Sequence, residues 1–144
     1  MKVTTIIDPN SPEEIILRLH NRSDLIEKIE RLVAEEDTAE LVGFSGDTMV
    51  ILDYGDVCRF TVESDKVYAW IGADRYRIKR RLYQIEQQAP SCFVKIHQSC
   101  LANTRQIARF ETAFSGALRV VFKNGDVDYV SRRNLKQVKE RFGL

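Results

Sequence analysis

Several features that would mark out a function class are scarce in this chain of 144 residues. It has 3 cysteines, Cys58, Cys92 and Cys100, an odd number with no Cys-x-x-Cys pair. That excludes a disulfide framework and a paired-thiolate zinc site, and their apolar neighbours suit buried thiols in a reducing compartment. The 2 histidines, His20 and His97, lie far apart, and there is no glycine-rich phosphate loop and no nucleophile beside a base. No enzyme and no cofactor are therefore expected, nor a small-molecule substrate. No apolar run approaches the roughly 18 residues needed to span a bilayer. Met1 to Asp8 lack a signal-peptide pattern, so a cytoplasmic protein is expected. There is no internal repeat and no low-complexity linker.

What is present is enough for a globular domain, since 44% of the residues are hydrophobic. The net charge of +1 hides a division. Residues 1 to 72 hold 7 Lys and Arg against 15 Asp and Glu, a balance of −8; residues 73 to 144 hold 15 against 6, a balance of +9. The second half can face a polyanion, while the acidic half points away from it or serves another interaction.

Alternation predicts strands over Val3 to Ile7 and Ile15 to Leu19, separated by the turn Asp8-Pro9-Asn10-Ser11-Pro12. A helix capped by Ser11 competes for the second of these. Ser23 caps a clearer helix whose stripe of Leu25, Ile26, Ile29, Leu32 and Val33 is expected in the core, with a dimer seam as the alternative. Short β-rich pieces then follow at Leu41 to Phe44, Met49 to Leu52, Val57 to Val62, Val67 to Ile71 and Tyr76 to Ile78, as in an antiparallel meander. A short helix over Arg80 to Gln88 turns Leu82 and Ile85 inward and ends before Pro90. Thr104 to Phe110 reads as a strand. Leu118, Val120 and Phe122 alternate up to Asn124-Gly125, with Val127 and Tyr129 alternating away from it, a strong hairpin signal. Ser131 caps a last helix that buries Leu135, Val138 and Phe142 and stops at Gly143.

Between these lies Phe93-Val94-Lys95-Ile96-His97-Gln98-Ser99-Cys100-Leu101-Ala102-Asn103, which begins as a half-buried strand and is then interrupted by polar residues. A basic residue, an imidazole, an amide and a hydroxyl within five positions form a poor metal site but a reasonable set for phosphates and base edges. Arg132 and Arg133 stand at the start of the last helix, where dipole, backbone N–H groups and guanidinium groups all favour an anion. Arg75, Arg77, Lys79, Arg80 and Arg81 form a second basic cluster.

FVKIHQSCLAN, an Ile at 107, a hairpin closing on Asn-Gly and then VSRRNLKQVK resemble the LytTR DNA-binding domain of LytR/AlgR-type bacterial regulators. The matching positions are Phe93, Ile96, His97, Ser99, Asn103, Val130, Ser131, Arg132, Arg133, Leu135 and Lys136. The chain departs from the family pattern at Lys95 and Gln98, often arginines, and at Ala102. The resemblance implies an α+β, mostly antiparallel β domain over residues 47–144 with a short C-terminal helix, preceded by a strand-strand-helix extension over 1–46. It implies that double-stranded DNA is contacted by loops through Lys66, Lys95, His97, Gln98, Ser99, Ser131, Arg132, Arg133 and Lys136, with Gln98 and Arg133 reading bases. The extension is too short for a phosphorylatable receiver domain. A stand-alone homodimeric regulator is expected, controlled by another protein such as a membrane-bound inhibitor. The alternatives are a protein-binding regulator with weak DNA affinity and, through Tyr68, Trp70, Tyr76 and Tyr83, an RNA binder.

Overall fold

The computed structural model describes residues 1–36 and 40–144. Helix α1 (Asp24–Glu36) is followed by strands β1 (Leu41–Ser45), β2 (Thr48–Leu52), β3 (Arg59–Glu63), β4 (Lys66–Ile71) and β5 (Asp74–Ile78). Then come helix α2 (Leu82–Gln88), strands β6 (Phe93–His97), β7 (Cys100–Asn103), β8 (Ile107–Thr112), β9 (Leu118–Phe122) and β10 (Val127–Val130), and helix α3 (Arg132–Arg141). The strands form a seven-stranded sheet of order β2-β1-β5-β4-β3-β7-β6 and a three-stranded sheet of order β10-β9-β8. Every pairing is antiparallel. The expected α+β architecture is therefore present. The sheet begins at Leu41, ahead of the boundary expected at residue 46, because β1 pairs with both β2 and β5.

Each face of the large sheet has its own core. On one face Phe60, Val67, Ala69, Ile78 and Leu101 are sealed by Leu82 and Ile85 of α2. On the other, Val94, Ile96, Cys100 and Ala102 meet Leu118, Val120, Phe122 and Val130 of the small sheet and Val138 of α3. Period-2 alternation explains this: Val94 and Ile96 of β6 enter the second core while Phe93 packs against the first. All three cysteines are buried, as expected.

The first 22 residues do not follow the sequence reading. Neither Val3 to Ile7 nor Ile15 to Leu19 forms a strand, and the rival helix is absent too. Ile6 is 82% exposed and Ile15 64%. With no third strand and no apolar surface against it, a two-stranded hairpin is only marginally stable. Helix α1 does form after Ser23, but its stripe is not core, with Leu32 62% exposed and Leu25 and Val33 also at the surface.

Candidate nucleic-acid interface

Sheet register brings the polar turns to one end of the molecule. The β3–β4 turn, Ser64-Asp65, abuts the β6–β7 turn, Gln98-Ser99, because Val62 N–H donates to the Ser99 carbonyl at 3.0 Å. Ser131 N–H donates to the Ile96 carbonyl at 2.8 Å, which sets the start of α3 beside the end of β6. Thus Lys66, Gln98, Ser99, Ser131, Arg132, Arg133 and Lys136 belong to segments gathered at one end. Gln98, Arg132, Arg133, Lys66 and Lys136 are exposed there. Lys95 is set apart: it is half-buried in mid-strand, paired with Leu101 of the first core.

Two local features are unfavourable in themselves. Ser64 and Asp65 both have left-handed backbone, φ 50° and 62°, as a two-residue hairpin turn of the primed type requires without the usual glycine. At the start of α3 no acidic residue balances the helix dipole, and Arg132 and Arg133 occupy its positive end. Ser131 sits in the cap position, yet its hydroxyl accepts from Asn134 Nδ2 at 3.0 Å and not from a first-turn N–H. Cations at a helix N-terminus cost stability unless an anion arrives.

His97 is committed inside the protein. A bulge between Lys95 and His97 breaks the alternation. The ring then stacks on Tyr129 with centroids 5.2 Å apart. Its Nδ1 accepts from Ser99 N–H at 3.1 Å, which leaves the Nε2–H to donate to Asp128 Oδ1 at 2.9 Å. Asp128 also accepts from Arg59 at 3.1 Å, and Arg59 reaches Asp126 at 3.5 Å while lying over the Trp70 and Phe122 rings. The side chains of Arg59 and Asp128 are 14% and 13% exposed. Burial alone would raise the Asp128 carboxyl, but hydrogen bonds from His97 and the Tyr129 N–H, with the Arg59 charge, outweigh it and hold it below the ordinary value. The network thus pins the Gln98-Ser99 turn to the small sheet.

Asp128 is the residue that sequence reasoning missed. Val127 and Tyr129, the apolar pair of the alternation after Asn124-Gly125, are exposed, and Asp128 and Val130 point in. The register, with Asp128 opposite buried Val120, leaves no other outcome. A signal exists in the carboxylates Asp126 and Asp128 alternating beside a hairpin, but their partner Arg59 is distant in sequence. His97, Cys100 and Asp128 also bring three ligand-type atoms within 4.8 Å of one another. The thiols in this region are held protonated, Cys58 pushed up to about 12 and Cys100 well above its ordinary value, in both cases mainly by burial. With the Arg59 cation on the same carboxylate, the set serves hydrogen bonding better than metal ligation. The aromatics considered for RNA are largely occupied: Tyr76 and Trp70 pack on the two cores, and Arg75 covers Tyr68 at 4.2 Å.

An antiparallel β protein that collects two polar turns and the exposed Arg132 and Arg133 at one end offers a surface on which an anion can sit. Comparison with known proteins narrows this. Residues 47–143 match the family model described as the LytTr DNA-binding domain. Over 146 aligned residues the chain is 30% identical to proteins of Staphylococcus aureus described as uncharacterized HTH-type transcriptional regulators, including those of strains NCTC 8325 / PS 47 and MRSA252. The alignments cover 100% of this chain and 99% of each relative. The fold matches the LytTr DNA-binding domain of a Bacillus cereus protein described as a methyl-accepting/DNA response regulator, with a TM-score of 0.70 and 17% identity over 74% of this chain and 99% of that one.

The class is that of DNA-binding transcription regulators. The chain belongs to the LytTR DNA-binding domain family. Among the described residues no two helices follow one another across a short turn, as a helix-turn-helix would require. No helix among the described residues is long and apolar enough to cross a membrane.

Proposed function

We propose that the protein regulates transcription by sequence-specific recognition of duplex DNA, with Gln98 and Arg133 on base edges and Lys66, Ser99, Ser131, Arg132 and Lys136 on the backbone. The observation that carries this is the exposed Arg132 and Arg133 pair at the start of α3, seated by the Ser131–Ile96 hydrogen bond beside the Gln98-Ser99 turn. Arginine pairs bidentately with guanine in the major groove, and an amide suits adenine. His97 acts through Asp128 and the Ser99 N–H to hold the turn. The test is selection from a pool of random duplexes at two salt concentrations. An enriched repeated sequence and a steep loss of affinity with salt are expected, with the double change Arg132→Ala and Arg133→Ala costing ~2 kcal/mol or more. Sequence-blind binding indifferent to that change would move the working surface to the acidic half, as a protein-binding regulator requires.

The protein acts in the cytoplasm as a homodimer. The exposed apolar residues of the extension, Leu25, Leu32 and Val33 on α1 together with Ile6 and Ile15, support self-association or a regulatory partner protein there. Sedimentation of a Leu25→Asp, Leu32→Asp variant tests this: a monomer is expected, and an unchanged dimer would place the seam elsewhere.

A further inference from the structure

The basic cluster at Arg75 to Arg81 has no role in the function proposed above, and the fold sets part of it at the same end of the sheet. Register pairs Val67 of β4 with Ile78 of β5, so the segment leaving β5 emerges beside Lys66 and the Ser64-Asp65 turn. Between them lies a groove floored by Val67 and Ile78 and walled by Lys66, Arg77, Lys79, Arg80, Arg81 and Gln84. Asp65 is the one carboxylate among its lining residues.

The cations are unequally committed. Arg80 is spent on structure, donating to Gln88 Oε1 at 2.6 Å and the Glu40 carbonyl at 3.1 Å. Arg75, outside the groove, is paired with Glu63 at 2.7 Å. The Lys79 Nζ lies over the Phe44 ring at 4.3 Å, a contact that holds the ammonium group without neutralising its charge. Among the described residues no carboxylate pairs with Lys66, Arg77, Lys79 or Arg81. Four like charges crowded about the single carboxylate Asp65 repel one another, and a bound polyanion removes that repulsion.

From β5 to β6 the edge crosses four strand spacings, about 19 Å. The major groove is about 12 Å wide. An edge of this width engages bases near β6 and α3 and still reaches backbone beyond the groove at its β5 end. We propose that Arg77, Lys79 and Arg81, with Lys66, form a fourth contact segment that binds the phosphodiester backbone flanking the sequence read by the other turns. It rests on the DNA-binding reading above, and it concerns affinity and salt dependence, not base choice.

The test uses the full chain and its selected duplex in two lengths, the core sequence alone and the core with five further base pairs on each flank. Wild type is expected to bind the longer duplex more tightly. Lys79→Gln with Arg81→Gln, both exposed positions, should abolish that gain and lower the slope of log affinity against log salt by about 2, near 0.9 per phosphate contact, with the selected sequence unchanged. Circular dichroism confirms the fold. Retention of the gain and of the slope in the double variant overturns the proposal, whatever the Arg132 and Arg133 variant does. Competition by inorganic phosphate at equal ionic strength, with no length dependence, would overturn it in favour of a free-anion site. Failure to select any sequence would overturn the DNA-binding reading and this proposal with it.

Discussion

The acidic stretch ahead of Leu41 and the sheet body after it carry the same kind of apolar periodicity, yet only the body converts it into a core. Ile6 and Ile15 alternate much as Val94 and Ile96 do, but the former are exposed and the latter buried. The difference lies in partners: β6 has β7 on its flank and the small sheet and α3 across its face. Periodicity specifies which side an element would bury. It does not supply the surface that buries it, and helices and strands draw most of their stability from that surface.

The contrast can be broken from either side. The largest effect should come from Asp128→Ala in the body, which strands the Arg59 guanidinium with Asp126 alone and frees His97. Loss of one member of a buried ion pair costs about 3 kcal/mol, to be read from denaturant midpoints, and DNA affinity should fall with it as the Gln98-Ser99 turn loosens. This stabilisation also has a pH signature. The Asp128 carboxyl is depressed below 3.8 in the folded state, so its contribution is fully present above the unfolded value and is lost as pH falls through the folded one. The stability gap between wild type and Asp128→Asn should therefore shrink below about pH 4.

Next in size is the pair Arg132→Ala and Arg133→Ala. Binding should weaken by ~2 kcal/mol or more, while relief of two cations at the helix dipole raises unfolding stability by about 0.5–1 kcal/mol. Opposite signs on binding and folding separate a recognition role from a structural one. A gain of about 1 kcal/mol in folding is expected when Ser64-Asp65 becomes Asn-Gly, since both positions are left-handed; thermal melts measure it. The smallest effect on folding falls on the extension. Leu25→Asp with Leu32→Asp at these exposed positions should shift the unfolding of the body by under ~0.5 kcal/mol; a larger loss would mean that the extension packs on the sheet.

These cases also show what was legible beforehand. Asn124-Gly125 fixed its hairpin, Pro90 the end of α2 and Gly143, with φ 70°, the end of α3, because each signal is local. The Arg132 and Arg133 corner was legible for the same reason. The exposed fate of α1 and of residues 1 to 22 was not, because it depends on the absence of a neighbour. Asp128 was hidden differently: its partners His97 and Arg59 come from β6 and β3, and only the packing of one sheet on the other joins them. That packing also commits the His97 ring to Asp128 and to the Ser99 N–H.

The claim that turns at one end of the sheet read bases is tested most directly by repeating the duplex selection with Arg133→Ala alone. Relaxed preference at one position of the enriched sequence, with the others retained, is the result expected of a lost bidentate contact. An enriched sequence identical to wild type at every position would contradict it.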